Sequence, residues 1–264
     1  TMSPSLTKST AARTELCTVA IISDDDSSDA IYGAALDLDG NIYIAGESTA
    51  ATLNGETAPD RGNGIILKYS PDGTLLWTSI LGTDMEDSIK AIGIYYNFMG
   101  GNLTIYVTGI TRANWETGVA LSPADNEDLW FAEVNPTDGS TVPNTIIQMG
   151  LSSDEYPRDI VVTDTNTLFI AGTTNTTFAG CPGGSKYIFL MKYDFGNTDN
   201  NQYRCIGAAA DQSIPHLAKH SDGILITGIT PDSIFDTSLG GDDVILAKVS
   251  ADDINTTLWQ KQFG

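Results

Sequence analysis

Four short segments decide the fold of this chain, because they repeat one pattern at nearly even intervals: YIAGES at 43–48, YVTGIT at 106–111, FIAGTT at 169–174 and LITGIT at 225–230. Their glycines lie 63, 63 and 56 residues apart, at Gly46, Gly109, Gly172 and Gly228. Short runs of β-branched and aromatic residues are typical of strands. A strand that recurs at this period predicts an array of similar sheets.

Three further segments recur around each copy of this strand, so each unit predicts four strands, A to D. Strand A follows an aspartate, strand C ends in a charged residue before a turn rich in Pro, Asp, Gly or Asn, and strand D closes the unit. The charged residues that end strand C are Lys68, Glu133, Lys192 and Lys248. We expect the small residues of strand B to let neighbouring sheets approach closely.

The sequence therefore predicts an all-β fold, a β-propeller-like array of four four-stranded antiparallel blades at about 29–82, 87–150, 154–207 and 211–264. An antiparallel sandwich is the alternative, but it gives no reason for a fourfold repetition.

The units resemble the bacterial-type β-propeller repeat known as the SBBP repeat. The resemblance rests on D-x-x-G-N-x-Y-x-x-G and the K, G, W and G positions that follow it, matched from Asp37 to Gly82. It covers roughly Asp29 to Gly264 and is weaker in the second and third units, whose strand D lacks counterparts of Trp77 and Trp259. The resemblance implies a propeller, usually in a secreted or cell-surface protein, and it implies no defined activity.

The N-terminal part of the chain adds one strand too many. Residues 1–15 are a polar segment, and residues 16–264 form the predicted propeller domain. The segment CTVAII at 17–22 predicts an extra or closing strand. Three explanations stay open: the chain is part of a larger propeller, the strand widens one sheet, or two end strands compete for one position and the loser pairs with another subunit. Since Thr1 precedes Met2, we expect either a processed protein or a piece of a longer one.

Charge and composition exclude several classes of function. The chain has 34 acidic and 13 basic residues, which argues against binding of nucleic acid or anionic membranes. No stretch is apolar for long enough to insert into a membrane. The three cysteines, Cys17, Cys181 and Cys205, allow one disulfide and one free thiol in any pairing. We expect no certain cofactor, with calcium as the one candidate.

The candidate binding sites each have a structural explanation beside the functional one. The aspartates that precede strand A, at Asp29, Asp87, Asp154 and Asp211, would ring one mouth of a propeller and bind a cation or a sugar, or would cap backbone N–H groups. The triplet Asp37, Asp39 and Asn41 resembles the start of a calcium loop, but it also suits a hairpin turn.

Aromatic and glycosylation signals are weaker. Trp115, in the loop after the second strand B, is the tryptophan best placed to stack on a sugar, whereas Trp77 and Trp259 are expected to pack between blades. Sequons at Asn102, Asn175 and Asn255 predict glycosylation if the chain is secreted by a eukaryote. His216 and His220 are the only histidines, and no nucleophile, zinc or phosphate-binding motif occurs.

These observations favour a non-catalytic extracellular scaffold that interacts with other proteins, or with itself through free strand edges, as a filament or surface-layer subunit. A carbohydrate-binding propeller that recognises glycans is the alternative. A hydrolase that uses paired carboxylates is a third and weaker hypothesis.

Overall fold

A computed structural model describes residues 27–58, 62–98, 101–116, 126–152, 154–164, 166–207, 213–237 and 240–264, without the side chains at 213 and 214. The predicted strand at 17–22, Cys17 and Asp211 lie outside the described residues. No helix in the described part of the chain is both long and apolar enough to span a membrane. The prediction of an all-β fold with antiparallel sheets is confirmed.

The strands form four four-stranded sheets, each within one predicted unit and each with its strands in chain order. The first sheet contains β1 (Asp29–Leu36), β2 (Ile42–Ser48), β5 (Asn63–Tyr69) and β6 (Leu75–Leu81), and the short hairpin β3 (Thr52–Leu53) and β4 (Glu56–Thr57) lies between β2 and β5. The second contains β7 (Asp87–Asn97), β8 (Asn102–Thr111), β9 (Asp128–Val134) and β10 (Ile147–Met149).

The third sheet contains β11 (Glu155–Val162), β12 (Thr167–Thr174), β13 (Tyr187–Asp194) and β14 (Gln202–Ile206). The fourth contains β15 (Ser213–His220), β16 (Gly223–Thr230), β17 (Asp243–Val249) and β18 (Thr257–Phe263). Two single-turn 3-10 helices, Phe178–Gly180 and Thr198–Asn200, lie in loops of the third unit.

Consecutive sheets pack face to face, and each interface contains one apolar cluster. Ile66 of the first sheet meets Trp130 of the second, Phe131 of the second meets Ile170 of the third, and Phe169 of the third joins Ile226 of the fourth. The first strands of the second, third and fourth sheets, β7, β11 and β15, each lie against the face of the sheet before. Among the described residues, no extensive contact joins the first sheet to the fourth.

The repeated glycine of strand B has a different neighbour from the one expected. A Cβ at Gly109 would lie 1.8 Å from the Ser88 carbonyl oxygen, on the adjacent strand of the same sheet. The register of β7 slips between Ile89 and Ala91, and this bulge brings the carbonyl group over the glycine. At Gly46, Gly109 and Gly172 the expectation that small residues let neighbouring sheets approach is therefore wrong, because these glycines make room for a bulge within their own sheet.

Candidate functional site

The contact between the first and second sheets shows how one sheet engages the next. Lys68 and Trp77 are paired across β5 and β6, on the face that packs against the second sheet. The Lys68 Nζ and the Trp77 Nε1 donate to the Pro136 carbonyl oxygen at 3.0 and 3.3 Å. The Ser79 hydroxyl donates to the Gly139 carbonyl oxygen at 2.7 Å. The end of strand C and the start of strand D thus form hydrogen bonds to the turn between strands C and D of the next sheet.

The third and fourth sheets are joined in the same way. Lys192 pairs with Gln202 across strands C and D, at the position equivalent to the Lys68–Trp77 pair of the first sheet. The Lys192 Nζ and the Gln202 Nε2 both donate to the Asp252 carbonyl oxygen, at 3.1 and 2.9 Å. A lysine at the end of strand C that reaches the next sheet's turn is therefore a recurring contact.

The same pair occurs on the fourth sheet, where the tryptophan is exposed and the lysine is buried against Asp222. Lys248 and Trp259 pair in the corresponding register. On the same face, Val244 is opposite Phe263. Val244, Trp259 and Phe263 are 47%, 41% and 54% exposed, whereas Leu81, which occupies the position of Phe263 in the first sheet, is 8% exposed. We call this surface the fourth-sheet face. Trp259 thus departs from the expectation that it packs between blades within this chain.

The first sheet has a complementary uncovered surface. Ile31 occupies the position of Ile89, which is fully buried between the first two sheets, yet Ile31 is 43% exposed and Leu36 is 66% exposed. The turn after strand C contains the exposed Pro71 and Asp72, at the place where the second sheet has Pro136. We call this surface, formed by β1 and turn 70–73, the first-sheet face.

Part of the first sheet beside this surface is already covered. Leu53 of the β3–β4 hairpin packs against Ile65 and Leu67. The second sheet has the same arrangement, since Trp115 covers Trp130 at a ring-centroid distance of 4.8 Å. The second sheet nevertheless packs against the first, so this cover is compatible with docking of another sheet.

A cavity of about 330 Å³ lies where the first three sheets meet. Its polar lining includes Glu47, Asp87, Ser88, Lys90, Glu127 and Tyr156, and we call it the acidic cavity. The bulge in β7 places the side chain of Lys90 at this cavity. The Lys90 Nζ lies 3.1 Å from the Glu47 Oε2 and 3.9 Å from the centroid of the Tyr32 ring. Burial, with the hydrogen bond from its hydroxyl to Glu47, raises the pKa of Tyr32 to about 12.

Comparison with known proteins does not assign a family. No family model matches the chain, and no curated protein shows a significant match. Among solved structures, a variant of Synechocystis apocarotenoid oxygenase is 10% identical with a TM-score of 0.43, covering 88% of this chain and 48% of that one. A protein of unknown function from Dyadobacter fermentans is 12% identical with a TM-score of 0.46, covering 92% of this chain and 71% of that one.

An ACO/RPE65 chimera in a trigonal crystal form is 12% identical with a TM-score of 0.38, covering 80% of this chain and 48% of that one. This chain therefore spans about half the length of the apocarotenoid oxygenase variant and of this chimera.

The aspartates that precede strand A take separate roles. The Asp87 Oδ2 accepts hydrogen bonds from the backbone N–H and the hydroxyl of Thr83, and the Asp154 Oδ1 accepts one from the Glu127 backbone N–H. Asp87 lines the acidic cavity, Asp154 lines a neighbouring cavity, and the Asp29 Oδ1 has no partner among the described residues. The structure thus brings Asp87 together with Glu47 and Glu127, a grouping that the sequence analysis missed.

The predicted calcium loop is a hydrogen-bonded hairpin turn. The Asp37 Oδ1 accepts from the backbone N–H groups of Asp39 and Asn41, and its Oδ2 accepts from the Asn41 amide and the Tyr43 hydroxyl. Burial acts to raise the pKa of Asp37, but these hydrogen bonds outweigh it and hold the pKa below its usual value. Within the described ranges, no three His, Cys, Asp or Glu side chains are grouped so as to hold a metal ion. Calcium binding stays a prediction.

The remaining predicted residues lie apart from one another. Trp115 is half-buried against Trp130, and its role in sugar stacking stays a prediction. The sequon asparagines are exposed at a strand start or in turns, at Asn102, Asn175 and Asn255. His216 lies 3.4 Å from Asp159, and His220 lies 2.5 Å from Asp222, so the two histidines have separate partners.

Cys181 and Cys205 form a disulfide, which closes a loop of the third unit. The sequence had left the pairing of the three cysteines open, because only spatial proximity decides it.

Proposed function

We propose that this chain is a non-catalytic extracellular scaffold of four consecutive β-propeller blades, and that it assembles head to tail by docking the fourth-sheet face of one copy onto the first-sheet face of a second copy. The observation that carries the proposal is the exposed Trp259, which with the buried Lys248 repeats the register of Lys68 and Trp77 at a junction within the chain. The fourth sheet thus has the groups that join two sheets, without a further sheet to engage among the described residues.

The two faces match in chemistry. At the first junction, a lysine amine and an indole N–H converge on the carbonyl oxygen of a proline in the turn. The fourth-sheet face offers an amine and an indole, and the first-sheet face offers Pro71 in the corresponding turn with the exposed Asp72 beside it. Asp72 would add a charge that complements Lys248, whose amine bonds Asp222 of its own sheet in the free chain.

Exposed apolar groups give the contact its driving force. Trp259 and Phe263 on one face, and Ile31 and Leu36 on the other, are each at least 41% exposed. Neighbouring exposed apolar side chains on a sheet mark interaction surfaces, and their burial is favourable by roughly 25 cal/mol per Å². Because the two faces differ, the contact is heterologous, and its repetition produces a closed ring where the rotation between copies closes and an open chain of subunits where it does not.

The disulfide supports the extracellular part of the proposal. Disulfides persist in oxidising compartments and are rare in the cytosol, where thiols are kept reduced. The Cys181–Cys205 bond fits secretion or display at the cell surface.

Sedimentation velocity of the full chain over a wide range of concentrations tests the assembly. Trp259→Glu should abolish it by placing a charge on the fourth-sheet face, and Ile31→Asp should do the same on the first-sheet face. Each variant keeps one intact face, so an equimolar mixture of the two should form a heterodimer and nothing longer. Phe98→Glu is the matched control, because Phe98 is 79% exposed in the turn after β7 and belongs to neither face.

Two results would contradict the proposal: a wild-type chain that stays monomeric at every concentration, or a mixture of the two face variants that does not associate. Association that Phe98→Glu weakens as strongly as Trp259→Glu would also count against it.

A further inference from the structure

The acidic cavity has properties that head-to-tail assembly does not use. It is built from the inner ends of three sheets, with Glu47 from β2, Asp87 and Ser88 from β7, and Tyr156 from β11. Its volume of about 330 Å³ is at the lower end of the range of small-molecule pockets. Ile110 gives it an apolar wall.

The carboxylates at this cavity exceed the cations that neutralise them. Lys90 bonds Glu47 at 3.1 Å, and Arg112 bonds both Glu86 and Glu127, with 2.7 Å to the Glu127 Oε1. Asp87 also lines the cavity and has no ion pair among the described residues. The cavity therefore favours a positively charged ligand.

Two buried side chains also have unused hydrogen-bonding atoms. Asp87 is 4% exposed and Ser88 is 2% exposed, yet the Asp87 Oδ1 and the Ser88 Oγ have no partner in hydrogen-bonding geometry among the described residues. Burial raises the pKa of Asp87, and the nearby Thr111 hydroxyl acts to lower it, although the proton of this hydroxyl is directed to the Ala113 carbonyl oxygen at 3.0 Å. A buried polar group without a partner is destabilising, and a ligand with suitable donors would remove this cost.

We propose that the acidic cavity binds a small primary alkylammonium compound, with a linear diamine as the representative ligand. An ammonium group has three donors and no acceptor, so it matches the carboxylate oxygen of Asp87 and the hydroxyl oxygen of Ser88. Its positive charge offsets the unpaired carboxylate, and its methylene groups have Ile110 to pack against. A neutral diol would supply donors without the charge.

Isothermal titration of the full chain with 1,4-diaminobutane tests this inference. We expect saturable binding, and we expect 1,4-butanediol and calcium chloride at the same concentrations to give no binding at this cavity. Asp87→Asn removes the charge but keeps the shape, and it should weaken the diamine affinity at least tenfold. Ser88→Ala should weaken it several-fold. Glu56→Gln, at an exposed carboxylate in the β3–β4 hairpin, should leave it unchanged.

The circular dichroism melt of each variant checks that it is folded. If Asp87→Asn does not fold, Ser88→Ala decides the outcome, because it removes only one hydroxyl group. The inference is wrong if the wild-type chain does not bind the diamine, if it binds the diol equally well, or if the folded cavity variants bind the diamine as the wild type does. None of these results depends on whether the chain assembles.

Discussion

Replacement of Gly109 by alanine should strongly destabilise the fold, although the same change in an ordinary strand is favourable. Glycine inside a strand costs about 0.5–1 kcal/mol relative to alanine, so a strand glycine without close neighbours gains stability from this substitution. At Gly109 the new Cβ would lie 1.8 Å from the Ser88 carbonyl oxygen and 3.0 Å from the Ile89 Cα.

The magnitude follows from this overlap. The bulged segment of β7 must move by more than 1 Å to reach a normal contact distance, and Ile89 next to it is fully buried between two sheets. Overpacking that shifts a backbone costs about 1–3 kcal/mol and occasionally more. We expect a loss of about 3 kcal/mol, which corresponds to a fall of about 6–12 °C in Tm for a chain of this size.

Urea unfolding followed by tryptophan fluorescence measures the loss, together with a thermal melt. Gly196→Ala is the control, because its Cβ would meet only side-chain atoms, the nearest at 3.2 Å, and its stability should change by less than about 1 kcal/mol. An unchanged or higher unfolding midpoint for Gly109→Ala would refute the idea that the repeated glycine accommodates the bulge.

Three further predictions concern the disulfide, a buried carboxyl group and the sheet junctions. Replacing both Cys181 and Cys205 by serine should lower the free energy of unfolding by about 3 kcal/mol, because the bond joins residues 24 apart; equal urea midpoints would contradict this. Burial raises the pKa of Glu155 despite hydrogen bonds from Thr174 and Thr176, so the folded state binds this proton more tightly than the unfolded state does. The stability of the wild type relative to Glu155→Gln should therefore rise as the pH falls through the folded pKa, and the gain should be complete below the unfolded pKa; urea midpoints at several pH values would show this, and a constant difference would count against it. Lys68→Met should lower the free energy of unfolding by about 1.5–3 kcal/mol, because the hydrogen bond to Pro136 is lost. Lys248→Met should change the stability of the monomer by less than about 1 kcal/mol, since its partner Asp222 is 63% exposed. Thermal melts of dilute protein measure both, and equal losses would contradict this prediction.

The strands could be predicted from the sequence because their signals are local. Each copy of the Tyr43–Ser48 pattern is a strand of the expected type, and the turn after each strand C lies where its Pro, Asp and Gly residues predict it. Such patterns depend on the alternation of side chains along one strand and on a few turn residues.

The bulges could have been found from the same pattern. Ile89 and Ile92 lie in one apolar cluster although they are three positions apart, and a regular strand would put them on opposite faces. The broken alternation at Lys90 is the signal of a bulge, and it also identifies the side chain that reaches the acidic cavity. The cavity itself could not be predicted, because it depends on how three separate sheets converge.

The exposure of the end faces could not be read from the sequence either. Trp77 and Trp259 each follow a leucine and each pair with the lysine of strand C, yet one packs against the next sheet and the other is 41% exposed. The difference comes from the presence or absence of a neighbouring sheet, which a repeat pattern does not specify.

Carbodiimide cross-linking of the wild-type chain at a concentration that favours assembly is the most direct test of head-to-tail docking. This reagent joins an amine to a carboxyl group in contact with it, and mass spectrometry then identifies the joined peptides. The proposal predicts a link between Lys248 and Asp72 in dimers and longer species and its absence from monomers, with the contact between Lys248 and Asp222 as the link expected within each monomer. Recovery of only the Lys248–Asp222 link in every species would contradict head-to-tail docking, and so would a Lys248–Asp72 link in monomers, since it would show that the two faces meet within one chain.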